Sequence, residues 1–212
     1  MSGPGRLIVI EGADGVGKTT QVERLVSRLT SHRVPTIAFR EPGGTLLGER
    51  IRSLLLDLPD EAINDRAELL LFLAARAQIA PEVASLIAEG RTVVLDRFFL
   101  STYAYQIAGR GLPEEDVRRI NAFATRGKVP DLTIVLGLPP EEARARAGEG
   151  DRIERAGIDF YERVAGAFGM FQTKAWQREH PECGRIVGVD ARGGQDEVAD
   201  RVWSAVAQVA EV

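Results

Sequence analysis

The eight residues Gly12-Ala13-Asp14-Gly15-Val16-Gly17-Lys18-Thr19 follow the spacing G-x-x-x-x-G-K-[ST], directly after the apolar run Leu7–Ile10 and directly before a segment of helical period. The spacing suits phosphate chemistry. Glycines let the backbone wrap its N–H groups around phosphate oxygens, and the following helix N-terminus adds donors and a favourable dipole. Lys18 supplies a point charge for β/γ-phosphates, and the Thr19 hydroxyl is a hard ligand for Mg²⁺. A second cluster closes the run Val93-Val94-Leu95-Asp96-Arg97. Asp96 can hold Mg²⁺ or its waters, and Arg97 can clasp a second phosphate with its planar fork of donors. A structural ion pair at a strand end is the competing reading of Asp96-Arg97, and the phosphate loop beside it favours a site.

These groups need a sheet edge to converge on. Short β-branched runs at 7–10, 36–40, 92–96, 132–138 and 185–189 alternate with amphipathic segments at 18–29, 46–56, 66–78, 81–89, 101–107, 114–125, 158–177 and 195–209. That alternation predicts an α/β fold whose parallel strands are buried on both faces, with ligands bound at their carboxyl ends. Pro81 is placed to open a helix. The stretch Ala143–Gly157 is rich in Arg and Gly and poor in core residues, and reads equally as a mobile loop or a solvated helix end.

The 212 residues fit one domain, 1–212, and 44% hydrophobic with 27% charged residues excludes disordered and fibrous classes. A net charge of −4 offers no basic field for nucleic acid. The lone Cys183 allows no intrachain disulfide or cysteine zinc cluster, and the longest apolar run, Leu69–Ala75, is far short of the ~20 residues of a membrane span. No nucleic-acid partner, no membrane and a cytoplasmic setting are therefore expected. The GTPase motif Asn-Lys-x-Asp and the dinucleotide fingerprint G-x-G-x-x-G are both missing, and Gly193-Gly194-Gln195 reads as a surface turn. Only three of 27 basic residues are lysines (Lys18, Lys128 and Lys174), which sharpens the meaning of Lys18.

The ordered set Glu11-Gly12-Ala13-Asp14-Gly15-Val16-Gly17-Lys18-Thr19-Thr20, Arg40-Glu41-Pro42-Gly43-Gly44-Thr45, Phe72–Gln78, Asp96-Arg97, Ser101–Gln106, Gly109-Arg110-Gly111, Pro130–Thr133 and Asp151–Glu154 resembles bacterial thymidylate kinases over nearly the whole chain. The resemblance implies a P-loop NTPase-type five-stranded parallel sheet flanked by helices, with a short lid at about 143–157. It implies ATP and Mg²⁺ as cofactors, dTMP as the acceptor and a homodimer formed partly through the apolar helix around Leu69–Leu73. It further implies a nucleotide site over Gly12–Thr20, metal contacts from Thr19 and Asp96, and an acceptor site that includes Asp14 and Glu41. In relatives Phe72 stacks on the base and Arg76 bonds its edge, Arg52 and Arg97 hold the monophosphate, and Ser101 and Gln106 are polar positions near the base. Tyr105 crowds the sugar 2′ position, and Pro42 follows a cis peptide bond. Where the phosphate loop carries no extra basic residue, as here, the lid supplies the catalytic arginine. Arg152 is expected in that role, with Arg146 or Arg144 behind it.

The chain departs from the family pattern at Ala147, where relatives often carry Arg, and at Ile107, Gly137 and Phe98. A kinase for another 5-substituted deoxyuridine monophosphate, or a regulator that holds ATP without transferring phosphate, are the alternatives.

Overall fold

The computed structural model describes residues 5–59, 62–147, 152–153 and 156–210. Five strands, β1 (Leu7–Glu11), β2 (Thr36–Arg40), β3 (Thr92–Asp96), β4 (Leu132–Gly137) and β5 (Ile186–Asp190), form one parallel sheet in the order β2-β3-β1-β4-β5. β1 and β3 are buried throughout, as continuous Val/Ile/Leu runs require when helices cover both faces. Ile10 pairs with Asp96 in register, so the loops leaving these two central strands start side by side.

The helices are α1 (Lys18–Ser31), α2 (Leu46–Asp57), α3 (Asp65–Ala88), α4 (Phe99–Thr102), α5 (Glu114–Thr125), α6 (Pro140–Ala147), α7 (Ile158–Phe171), α8 (Lys174–Glu179) and α9 (Gln195–Ala210). Side-chain caps set several starts. Thr45 accepts from Gly48 N and Asn64 from Arg66 N, each satisfying an otherwise orphaned donor. One core cluster fills the sheet faces, and two smaller ones seat α3 against α5 (Leu69, Leu73, Val117, Ala124) and against α2 (Ile51, Leu55, Ala75).

Three local expectations need revision, and an alternative left open is decided in part. The segments at 66–78 and 81–89 are one helix, α3, with Pro81 inside it. The carbonyl that Pro81 leaves without its N–H belongs to Ala77, and both residues are exposed, so water can take up the lost bond. The segment at 158–177 breaks where Thr173 caps a new helix by accepting from Trp176 N at 3.3 Å. Beyond α4 the chain widens into a π-helical turn, Tyr103–Gly109, with Arg110 N donating to Tyr105 O five residues back. In the Arg-rich stretch, the helix-end reading holds for its first part: α6 runs to Ala147, with Ala143 buried in the main core. Arg152 and Ile153 are also buried, while 148–151 and 154–155 lie outside the described residues.

By length and apolar composition alone α3 is long enough to cross a bilayer. Its sequence nevertheless carries Glu68 and Arg76, both buried against protein partners.

Candidate active site

A cleft of about 800 Å³ opens at the carboxyl ends of the strands. Every site residue expected from the sequence lines it except Gly12, Ala13, Arg144 and Arg152. Gly12 and Ala13 form the back of the phosphate loop through their carbonyls. A Cβ on Gly12 would meet Leu136 O at 2.5 Å, and its φ of 139° disfavours any side chain, so this first turn requires glycine. Gly17, at φ 90°, turns the chain into α1.

Lys18 follows at once, buried, with Nζ donating to Ala13 O at 2.7 Å and lying 3.6 Å from Asp14 Oδ1. Burial, helped by the nearby Arg97 guanidinium, brings its pKa down to about 8. Thr19 Oγ1 donates to Asp96 Oδ2 at 2.8 Å across the β1–β3 gap. A hydroxyl and a carboxylate so close together are hard oxygen donors of the kind Mg²⁺ takes, with its remaining positions filled by water and phosphate.

Arg97 occupies the left-handed region at φ 72°, an uncommon conformation for a side-chain-bearing residue, held here by surrounding bonds. Its guanidinium donates to Gly12 O at 3.3 Å, to Ser101 Oγ at 3.0 Å and to Asp14, and lies 5.2 Å from the centre of the Tyr105 ring. The Tyr105 hydroxyl also donates to Asp14. Burial pushes the Asp14 carboxyl up, but Arg97 and then Lys18 outweigh it and hold the group below its ordinary value. Tyr105, buried, is driven well above its ordinary value by burial and stays a donor. Behind this cluster Glu11, 0% exposed, accepts from Phe98 N, Ser101 N and Ser101 Oγ at 2.7, 3.0 and 2.6 Å. It thereby fixes the start of α4 and the position of Ser101.

At the other end of the cleft α3 presents Phe72 and Arg76, one turn apart. The Arg76 guanidinium is buried and donates to Glu41 Oε2 (2.6 Å), Thr102 Oγ1 (2.8 Å), Asn121 Oδ1 (2.8 Å) and Phe98 O (2.8 Å). Of the five N–H groups of an arginine this leaves one Nη2–H for a ligand. The other oxygen of Glu41, Oε1, is buried with no hydrogen-bond partner, and burial raises this carboxyl against the pull of Arg76. The Glu41–Pro42 bond is cis, as the resemblance implied, and Arg52 Nη1 donates to Pro42 O at 3.2 Å.

The expected roles of the lid arginines separate. Arg146, exposed on α6 and 3.9 Å from Glu142, lines the cleft. Arg152 does not: its guanidinium is buried on Leu55 O (2.8 Å) and Glu68 Oε2 (2.5 Å). The ion pair competes directly with any phosphate for the same group.

Sequence reasoning passed over Glu68, which lies inside an apolar helix. Arg110, within Gly109-Arg110-Gly111, was the available signal. It also missed the wall formed by Ala191, Gly193, Gln195 and Val198, next to Thr20 and Gln21. Gly193-Gly194-Gln195, expected as a surface turn, supplies part of that wall, and Gln195 O accepts from Gln21 Nε2 at 3.1 Å.

Residues 10–182 match the family model described as thymidylate kinase. This chain belongs to the thymidylate kinase family. It is 44% identical over 200 residues to a thymidylate kinase of Synechococcus sp. (strain JA-2-3B'a(2-13)), covering 94% of this chain and 93% of that one. It is 42% identical over 215 residues to one of Chlorobium chlorochromatii, with coverage of 94% and 93%. It is 40% identical over 208 residues to one of Deinococcus radiodurans, with coverage of 96% and 97%. Within the family's frame, the loop at the end of β1 and the Asp96-Arg97 pair at the end of β3 face one cleft, with α3 forming its far wall.

Proposed function

We propose that this member of the thymidylate kinase family is an ATP-dependent dTMP kinase, acting through one catalytic domain and as a homodimer. The observation that carries the reading is the Arg97 cluster. A guanidinium fixed between Gly12, Asp14 and Ser101 gives the phosphate loop a cationic neighbour on the acceptor side, within one cleft that ends at Phe72 and Arg76.

A phosphate oxygen of dTMP attacks the γ-phosphorus of ATP, the bond from that phosphorus to the β,γ-bridging oxygen breaks, and dTDP and ADP form. Such a transfer needs alignment and charge stabilisation more than covalent help. Backbone N–H groups of Gly15–Thr20 and the Lys18 ammonium hold the β- and γ-phosphates. Arg97 and Arg52 hold the acceptor phosphate. Phe72 offers a ring for the thymine face and Arg76 its remaining N–H for the base edge. Tyr105, fixed by Asp14, fills space beside the sugar, which favours deoxyribose. Arg146 is the lid arginine that meets the transferring phosphoryl group. Thr19 and Asp96 would hold Mg²⁺, which when bound neutralises phosphate charge.

Turnover measured with ATP and Mg²⁺ against dTMP, dUMP, UMP, dCMP and dGMP tests the assignment. A clear preference for dTMP is expected. Equal rates across the panel, or ATP binding without ADP release on adding dTMP, would overturn it.

A further inference from the structure

Glu68 lies fully buried in α3, four residues before Phe72 and eight before Arg76, so the three side chains follow one another along one face of the helix. Its oxygens receive four donors: Gln106 Nε2 at 3.1 Å and Arg110 Nε at 3.2 Å on Oε1, and Arg110 Nη2 at 3.0 Å and Arg152 Nη2 at 2.5 Å on Oε2. Four donors match the lone-pair sites of an ionised carboxylate. Gln106, at 2% exposure, lines the cleft, and so does Ile153, the residue next to Arg152. Arg152 also donates to Leu55 O, so one guanidinium ties together α2, α3 and the Ile153 wall.

We infer that Arg152 is a positioning residue of the acceptor pocket, acting through Glu68 on Gln106 and holding Ile153 in the pocket wall, and not the clamp on the transferring phosphate. The inference rests on the kinase reading above and assigns this arginine to the acceptor side of the site. A buried guanidinium on a buried carboxylate is committed by geometry, because moving it to a phosphate would break its bonds to Glu68 and to Leu55 O at once. Arg110 stays on Glu68 when Arg152 is removed, so the carboxylate keeps a compensating charge and the fold retains its local support. The missing element is then the orientation of Gln106 and the seating of Ile153, both of which face the acceptor.

The test combines steady-state kinetics with calorimetric binding of dTMP in the absence of ATP, on wild type, Arg152→Ala, Arg152→Lys and Glu68→Gln, with melting curves as a check on folding. Arg152→Ala should weaken dTMP binding and raise its KM by about ten-fold or more, the scale of one charge-assisted hydrogen bond. The KM for ATP should stay within about three-fold and kcat within about ten-fold. Arg152→Lys should recover part of the dTMP affinity, since an ammonium can reach Glu68 but cannot bridge to Leu55 as well. Glu68→Gln should show the same selective loss, and combining it with Arg152→Ala should add less than the sum of the two. A kcat loss of about 10³ with dTMP binding unchanged would restore the phosphate-clamp role and sink the inference. Unchanged kinetics, or loss of dTMP and ATP affinity in parallel, would also sink it. A wild-type enzyme that turns over dTMP while its variants fail these expectations defeats the positioning role alone, whereas a wild type with no dTMP turnover defeats the kinase reading.

Discussion

Burial and Arg97 bring Lys18 from its ordinary 10.5 down to about 8, which corresponds to about 3 kcal/mol of disfavour for its charged form. The side chain is only 8% exposed, so solvent screening removes little of that. A base whose folded value lies below its unfolded value binds fewer protons folded than unfolded between pH 8 and 10.5. The penalty on stability is therefore complete below about pH 8 and fades as pH climbs toward 10.5. A triphosphate beside the ammonium restores its proton. At pH 8 about half of Lys18 is neutral, so ATP binding should take up about half a proton, against a few hundredths at pH 6.5. Titration calorimetry of MgATP in two buffers of different ionisation enthalpy reads this uptake, and Lys18→Met supplies the subtraction. The same variant, which loses phosphoryl transfer, should gain about 2 kcal/mol in urea unfolding at pH 7, after about 1 kcal/mol for its lost bond to Ala13 O. Equal uptake in wild type and variant at pH 8, or a destabilised Lys18→Met, would refute the reasoning.

Arg146→Ala should lower kcat by about 10³ with the KM for dTMP within a few-fold, as checked by varying each substrate in turn. Phe72→Ala should raise the KM for dTMP by about five- to a hundred-fold, from the ~1–3 kcal/mol of base stacking, with ATP affinity unmoved; a change confined to ATP would place the base elsewhere. Leu46, Leu47, Leu54 and Leu70 are 83%, 49%, 48% and 54% exposed on α2 and α3. The wild type should therefore sediment at twice 23.1 kDa at micromolar concentration and Leu70→Glu closer to the single-chain mass, while a wild-type monomer would remove the proposed dimer.

What the sequence made legible is what local chemistry dictates. A glycine pattern between an apolar run and a helical period had one geometric solution, and Asp96-Arg97 fell at the edge of β3 because the preceding run is too apolar to be anything but a buried strand. The remainder was decided by tertiary surroundings. Pro81 reads as a helix start because its ring forbids one bond, yet the exposure of Ala77 makes that loss tolerable. The π-helical turn carrying Tyr105 and Gln106 has no periodic signature of its own. It aims neighbouring residues at different partners, Asp14 and Glu68. Arg152 shows the same limit in the site. The family resemblance put it in a lid facing a nucleotide, but only the fold reveals the Glu68 carboxylate waiting for it.

Because Glu68, Phe72 and Arg76 ride on a single helix at four-residue steps, the proposed acceptor end of this molecule behaves like teeth on one comb. An engineer seeking a bulkier pyrimidine cannot shift the ring without dragging along both its anchor and its neighbour. Room has to come from other lining residues, at Pro42, Tyr105 or Ile153, where each side chain hangs from a separate stretch of backbone.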